Sequence, residues 1–152
     1  MEDEKGRITE TGSPWDLVKD YFHSNGFNCA ESTVHLFSSL GKHDIPPDLI
    51  KTMTGFGGGM QRGLTCGAVT ASVALLGLFT GRTEPSQSRE PSAQAVKMYL
   101  AEFEKRFGSL TCHRLKAGFE SKSAEMYVHC AKFVKESVDI INEILSKTEI
   151  KG

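Results

Sequence analysis

The chain has 152 residues and a formal net charge of −1, and 39% of its residues are hydrophobic. This length predicts one domain, which can bury about 70% of its unfolded surface without disulfide support. Acidic and basic residues are interspersed, so the composition indicates neither a basic face for nucleic acid nor a cationic helix for a membrane surface. The expected partner is therefore a small molecule or another protein, and the oligomeric state stays open.

The N-terminal segment, residues 1–13, is polar and acidic, and we predict that it is a disordered leader. It lacks the basic start and the apolar core of a secretory signal, so a cytoplasmic location is expected. In that compartment, cysteines are more often free, metal-bound or catalytic than paired in disulfides. The four cysteines are thus of functional interest, and the folded domain is predicted to span residues 14–148.

Two helices are predicted in the first part of the domain. The first begins at Pro14, which suits a first helical turn, and is stopped by the Asn-Gly pair at 25–26. The second begins at Cys29, because Asn28 and Glu31 have the spacing of an approximate capping box. Cys29 is thereby placed at the positive end of a helix.

The stretch 55–82 contains the most informative combination of residues in the chain. A third helix, starting at the prolines 46–47, leads into the glycine loop GFGGGMQRG, which continues through Cys66 into an apolar run. We predict a helix over 65–80. Its apolar stretch from Ala68 to Phe79 is far shorter than the roughly 20 residues that cross a bilayer, so no membrane insertion is expected. This helix is predicted to be packed closely on nearly all sides, with a stripe of small residues at Thr70, Ala74, Gly77 and Gly81.

Three further segments complete the chain. Residues 82–92 are predicted to form an exposed and mobile linker, and a long amphipathic helix then runs to Gly108. Ser109 is predicted to cap a short helix that carries Cys112. The last helix, 124–146, carries the fourth cysteine, Cys130.

These elements predict an all-α fold, a single-domain bundle of about six helices around the apolar helix 65–80, with no convincing strand. Apolar side chains predicted to face the core include Trp15, Leu17, Val34, Phe37, Met98, Tyr99, Ala101, Phe103, Val128, Val134 and Ile141.

Three of the four cysteines are predicted near helix starts, which bears on their chemistry. At Cys29, Cys66 and Cys112, unpaired backbone N–H groups and the helix dipole favour the thiolate over the thiol. Cys66 also follows the glycine loop, so it is the best candidate for chemistry. Cys130 lies inside a helix among apolar residues.

Four sulfurs can hold an iron–sulfur cluster or a tetrahedral zinc ion. The gaps between the cysteines are 36, 45 and 17 residues and no C-x-x-C occurs, so only tertiary structure could assemble such a site. On spacing alone, a packing role for buried free cysteines is equally open. His113 and His129 adjoin cysteines but point about 100° away along a helix, so no histidine is predicted as a ligand. His35 and His43 are predicted at the surface.

Short motifs occur along most of the chain: NCAES at 28–32, GFGGGM at 55–60, CGAVTA at 66–71, GLFTGR at 77–82 and FGSLTC at 107–112, followed by Cys130. Over about residues 15–145, this pattern resembles the C_GCAxxG_C_C family of redox-active proteins.

The resemblance implies a small helical prokaryotic protein whose family cysteines are redox-active or hold a metal centre. Those positions are Cys29, Cys66, Cys112 and Cys130, with Gly67 and Ala68 completing the CGA core. A related domain in haem-containing proteins of anaerobes is associated with an iron–sulfur cluster, so the resemblance points to iron. Ala71 stands where the family motif has glycine, and it is expected to narrow the space beside Cys66.

Three functions stay open at this stage, and whether the chain is an enzyme stays open with them. In the first, the four cysteines bind an iron–sulfur cluster for electron transfer or redox sensing, with a redox protein or a small molecule as partner. The second is a metal-free thiol–disulfide oxidoreductase, in which Cys66 attacks and Cys29 is the second cysteine. The third is a zinc-binding structural or interaction module. Residues predicted to contact a bound cofactor are Gly57, Gly58, Gly59, Gly67 and Ala68.

Overall fold

The computed structural model describes residues 13–24, 26–41 and 43–147, and in these ranges the chain forms seven α-helices and no β-sheet. The helices are α1 (Pro14–Lys19), α2 (Cys29–Gly41), α3 (Pro47–Thr52), α4 (Gly67–Thr80), α5 (Glu90–Phe107), α6 (Cys112–Leu115) and α7 (Ala124–Lys147). Shorter turns of other helical types lie at Asp20–Ser24, Thr54–Phe56 and Gly59–Gly63. The prediction of an all-α, single-domain fold is confirmed.

Local capping signals explain where several helices begin and end. Ser13 and Asp16 form a capping box at α1, with the Ser13 N–H donating to the Asp16 carboxylate at 3.1 Å. Asn28 and Glu31 form a second one at α2, at 2.9 and 3.0 Å. Gly108 ends α5 in the left-handed conformation, with φ of 83°. Ser13, the last residue of the predicted leader, is therefore the N-cap of α1. The rest of the predicted leader lies outside the described residues, as do Asn25 and Thr148.

Four helices, α2, α4, α5 and α7, surround the core. α4 lies against α2, α5 and α7, while α1 covers α2 and α7. The buried Tyr99 hydroxyl lies 2.7 Å from the Ser137 hydroxyl, so its polar atom has a partner between α5 and α7. The largest completely buried side chains include Phe37, Leu75, Leu76, Tyr99, Phe103, Ile140 and Ile141.

Some apolar side chains predicted to face the core lie at the surface instead. Trp15 and Met98 are each 41% exposed, Val128 is 66% exposed, and Ala101 is exposed as well. Each of these residues continues the apolar pattern of its helix but lies outside the buried face. An apolar period identifies the buried side of a helix but not how wide the covered part is.

Helix α4 is not packed closely on all its sides. Leu78 is 47% exposed, and a Cβ added at Gly77 would meet no atom within 4 Å. The stripe of small residues is therefore not a close helix contact along its whole length. The described helices include none with the length and apolarity that a bilayer crossing requires.

Two histidines predicted at the surface are half-buried between aromatic rings. The His35 ring lies 4.7 Å from Tyr21 and 4.5 Å from Phe27, and the His43 ring stacks on Phe37 at 4.5 Å. Burial lowers the pKa of His35. The prediction was wrong because an imidazole ring packs well against aromatic faces.

The loop between α4 and α5 is exposed and internally hydrogen-bonded. The Arg82 guanidinium donates to the carbonyls of Pro85 at 3.1 Å and Gln87 at 2.9 Å. After α5, Thr111 rather than Ser109 is the N-cap of α6; the Ser109 hydroxyl accepts from the Thr111 N–H at 3.1 Å. This segment leads directly into Cys112.

Candidate functional site

The four cysteines come from four different helices and line one cavity of about 470 Å³. Cys29 is the first residue of α2, Cys66 is the N-cap of α4, and Cys112 is the first residue of α6. The three predicted helix starts are thereby confirmed, and Cys130 lies in the second turn of α7. All four are free thiols. Tertiary structure alone brings these distant positions to one cavity.

Cys29 is positioned by contacts between the start of α2 and the loop after α3. The Asn28 amide donates to the Thr54 carbonyl at 2.9 Å, and the Thr54 hydroxyl donates to the Glu31 carboxylate at 3.0 Å. The backbone at Gly57 passes so close that a Cβ there would lie 2.5 Å from the Asn28 amide nitrogen. The capping box therefore orients Cys29 and also docks the glycine loop.

Backbone N–H groups from three segments reach the Cys29 sulfur. They belong to Gly58 in the glycine loop, to Gly67 at the start of α4, and to Ala30 in α2 itself. At Gly67 the contact is tight, because an added Cβ would lie 2.4 Å from the Cys29 Sγ atom. The sulfur thus lies at the N-termini of two helices, but burial outweighs these N–H groups and raises the pKa of the Cys29 thiol, so the expected thiolate is wrong here for the metal-free protein.

A single antiparallel β-bridge between Thr65 and Thr111 joins the two segments that lead into Cys66 and Cys112, and the two cysteines flank the bridge on opposite sides. The Cys66 N–H donates to the Leu110 carbonyl at 2.9 Å, and the Cys112 N–H donates to the Leu64 carbonyl. Sequence reasoning missed this contact because a one-residue bridge has no alternating pattern. It is nevertheless what positions the second and third cysteines relative to each other.

The glycine loop makes a left-handed turn beside Cys112. Gly58, Gly59, Met60 and Gln61 have φ values of 62°, 63°, 58° and 62°. For Met60 and Gln61 this conformation costs roughly 1–2 kcal/mol each. A Cβ at Gly59 would lie 2.8 Å from the Cys112 Cβ, so a glycine is needed where the loop passes this cysteine. Backbone strain of this kind is often concentrated at functional sites.

Burial determines the protonation of Cys66. Its side chain is 5% exposed, and burial raises the pKa of the thiol even though the N–H groups of Ala68 and Val69 act in the opposite direction. The expectation that a helix start makes Cys66 a ready thiolate is therefore wrong for the metal-free protein. Dipole and N–H groups are present, but the loss of water outweighs them.

The cysteines also influence one another across the cavity. Burial and then repulsion from Cys29 and Cys112 raise the pKa of Cys130 to about 12, while the nearby Lys116 ammonium lowers it. Cys66 is likewise affected by Cys29 and Cys112. Four charged thiolates would therefore repel one another unless a cation binds between them.

Besides the predicted Gly57 and Gly58, the cavity is lined by residues that were not predicted from the sequence as site residues, and aromatic side chains are among them. Phe27, Tyr127 and Phe133 contribute rings, and Lys116 contributes a cation. Phe27 directly precedes the NCAES motif, but the others had no signal beyond an apolar or charged position in a helical pattern. Ala71 is buried in α4 and is not among the residues that line the cavity.

Within the described residues, no three His, Cys, Asp or Glu side chains form a group that could hold one metal ion. The four thiols therefore surround a cavity rather than converge on one point. Of the residues predicted to contact a cofactor, Gly58, Gly59 and Gly67 lie directly against cysteines, Gly57 lies against Asn28, and the Ala68 N–H points to Cys66.

Residues 27–144 match a protein family described as "Putative redox-active protein (C_GCAxxG_C_C)". The chain belongs to the C_GCAxxG_C_C family. The matched range includes all four cysteines, so the resemblance seen in the motifs is confirmed for this C_GCAxxG_C_C protein. The family's description assigns redox activity without naming a cofactor. Comparisons with curated proteins and with solved structures found no match.

Proposed function

We propose that this C_GCAxxG_C_C protein binds an iron–sulfur cluster through Cys29, Cys66, Cys112 and Cys130 and acts in electron transfer or redox sensing. One observation carries the proposal: four helices each contribute one cysteine to a single cavity of about 470 Å³. A bound cluster would supply reversible one-electron chemistry. The chain's own residues would supply the ligands, the hydrogen bonds to sulfur and the exclusion of water.

The surroundings of the sulfurs support this assignment. N–H groups of Gly58, Gly67 and Ala30 reach the Cys29 sulfur, and hydrogen bonds of this kind stabilise ligand thiolates and tune the potential of a cluster. The raised pKa values of the free thiols do not oppose ligation, because metal binding deprotonates a coordinating thiol. The two close contacts at Gly59 and Gly67 hold the cysteines in place before any metal binds.

The spread of the thiols favours a polynuclear centre over a single zinc ion. A structural zinc needs four ligands at about 2.0–2.3 Å from one point. In the described residues not even three metal-ligating side chains are grouped in that way, although all four cysteines line the same cavity. A cluster accommodates this arrangement because different iron atoms take different sulfurs.

Metal-free thiol–disulfide exchange is less well supported. An attacking cysteine needs access to its substrate and a substantial thiolate fraction near neutral pH. Cys66 is 5% exposed and burial raises its pKa, so it has neither property. The same cause raises the pKa of Cys29.

The proposal is tested by replacing each cysteine with serine in full-length protein produced and purified without oxygen. We expect each replacement to remove or strongly reduce the visible absorbance of the cluster. Ser121→Ala is the matched control, because Ser121 lines the same cavity without offering a sulfur ligand. Four serine variants with the spectrum of the unaltered protein would refute ligation by these cysteines.

A further inference from the structure

An apolar groove of about 880 Å³ lies beside the cysteine cavity, between α1 and the first turns of α7. Its exposed apolar side chains are Trp15, Phe119 and Val128, which are 41%, 38% and 66% exposed. Aromatic rings grouped with an exposed aliphatic side chain are typical of surfaces that bind another protein. None of the three has an evident role in packing the core.

The groove and the cysteine cavity share part of their walls. Phe22 and Tyr127 line both, and their rings meet edge to face at 5.3 Å. His129, the neighbour of Cys130, lines the groove and stacks on Phe119 at 4.3 Å. A protein seated in the groove would therefore be separated from the cysteine cavity by little more than a layer of aromatic side chains.

The charge on this face is positive, although the whole chain is nearly balanced with 18 basic and 19 acidic residues. Lys19 and Lys132 line the groove and Lys116 and Lys122 line the adjoining cavity, whereas Glu125 is the one carboxylate in the two linings. In the described part of the chain, Lys19 and Lys132 have no ion-pair partner. Unpaired lysines around an apolar centre fit a partner with acidic residues around an apolar contact.

From this juxtaposition we infer that the groove is the docking surface for a small acidic electron-transfer protein. The inference rests on the proposed redox function and specifies its partner by chemistry. On docking, one electron passes between the partner's own redox centre and the centre at the four cysteines. One side is oxidised as the other is reduced, and no bond between the proteins forms or breaks. The lysines attract the partner, and Trp15, Phe119 and Val128 form the apolar contact.

The binding test uses the full chain in its metal-free form, so that its result does not depend on cluster loading. Trp15 is the chain's single tryptophan and lies in the groove, so its fluorescence reports docking directly. The probe is an acidic [2Fe–2S] ferredoxin without tryptophan, titrated at about 0.05 M and about 0.3 M salt. Cytochrome c, a basic redox protein, is the probe of opposite charge.

We expect saturable quenching of Trp15 by the ferredoxin, binding that weakens about tenfold at the higher salt, and no saturable effect of cytochrome c. Val128→Glu and the pair Lys19→Glu/Lys132→Glu should each weaken binding by about tenfold or more. The matched controls should bind normally: Leu78→Glu changes an exposed apolar residue away from the groove, and Lys51→Glu/Lys97→Glu makes the same change of net charge elsewhere.

Absence of ferredoxin binding, equal binding of cytochrome c, or equal effects of groove and control variants would overturn the inference. So would sedimentation showing that the unaltered chain dimerises and that Val128→Glu makes it monomeric, because a second copy would then occupy the groove. Thermal melts of every variant verify folding. Failure to bind ferredoxin and failure to load iron are separate results, so the docking inference and the proposed function can fail independently.

Discussion

Gly67→Ala tests directly whether the close contact between the start of α4 and the Cys29 sulfur organises the site. An added Cβ would lie 2.4 Å from the Cys29 Sγ atom, 3.0 Å from the Phe56 carbonyl oxygen and 3.2 Å from the Ala30 nitrogen. Ordinary contacts begin at 3.4 Å, so the sulfur has to move by about 1 Å or α4 has to shift. Either movement displaces one of the proposed ligands.

The size of the effect follows from two opposing contributions. Overpacking of this kind typically costs about 1–3 kcal/mol. Alanine in place of glycine stabilises a helix by about 0.5–1 kcal/mol. The two ranges leave a net loss of about 0–2.5 kcal/mol, centred at about 1 kcal/mol, so we expect the Tm of the metal-free protein to fall by about 2–4 °C for a chain of this size.

The assay combines thermal unfolding of the metal-free protein with the iron content of anaerobically purified protein. We expect a lower Tm and much less bound iron for Gly67→Ala. Gly77→Ala is the control on the same helix, because its Cβ would meet no atom within 4 Å. That variant should load iron normally and gain about 0.5–1 kcal/mol of stability.

A double-mutant cycle isolates the sulfur contact. If the clash with Cys29 is the cause, the destabilisation by Gly67→Ala should shrink when Cys29→Ala is already present. The reasoning would be refuted if Gly67→Ala matched Gly77→Ala in both stability and iron content.

Two further predictions concern the loop and the protonation of the thiols. Gly58 and Gly59 both have positive φ, but an added Cβ clashes with other atoms only at Gly59. Gly58→Ala should therefore cost about 1–2 kcal/mol of backbone strain and still bind iron, whereas Gly59→Ala should be destabilised and also lose iron. Equal iron content in the two variants would contradict this prediction. Burial raises the pKa of Cys130 from 9.0 to about 12, so the folded protein holds this proton more tightly than the unfolded chain. The contribution of Cys130 to the free energy of unfolding of the metal-free protein should therefore be fully present below pH 9 and be lost between pH 9 and about 12. The slope from this one group is up to about 1.4 kcal/mol per pH unit. Denaturation series at several pH values should show a shallower decline for Cys130→Ala; identical slopes would count against the raised pKa.

Local signals in the sequence were sufficient to locate the start of α2, which presents Cys29, whereas they placed the cap of α6 at Ser109 instead of Thr111. Asn28 and Glu31 identified the capping box that places Cys29 at the first position of α2, and Gly108 identified the end of α5. These features depend on residues three or four positions apart, so they can be recognised without knowing the fold.

Features that depend on contacts between distant segments could not be predicted in the same way. The Thr65–Thr111 bridge joins residues far apart in the chain, and a single bridge leaves no periodic pattern. The raised pKa of Cys66 follows from how completely other helices cover it, whereas the sequence showed only the helix start that acts in the opposite direction. Val128 continues the apolar period of α7, but none of the described helices covers it, and this exposure reveals the groove.

The central claim is tested most directly by measuring iron, zinc and acid-labile sulfide in the full-length protein purified without oxygen. We expect iron and sulfide in about equal amounts, both lost when the four cysteines are replaced together by serine. Protein without iron and sulfide, or with about one zinc per chain and no sulfide, would contradict it.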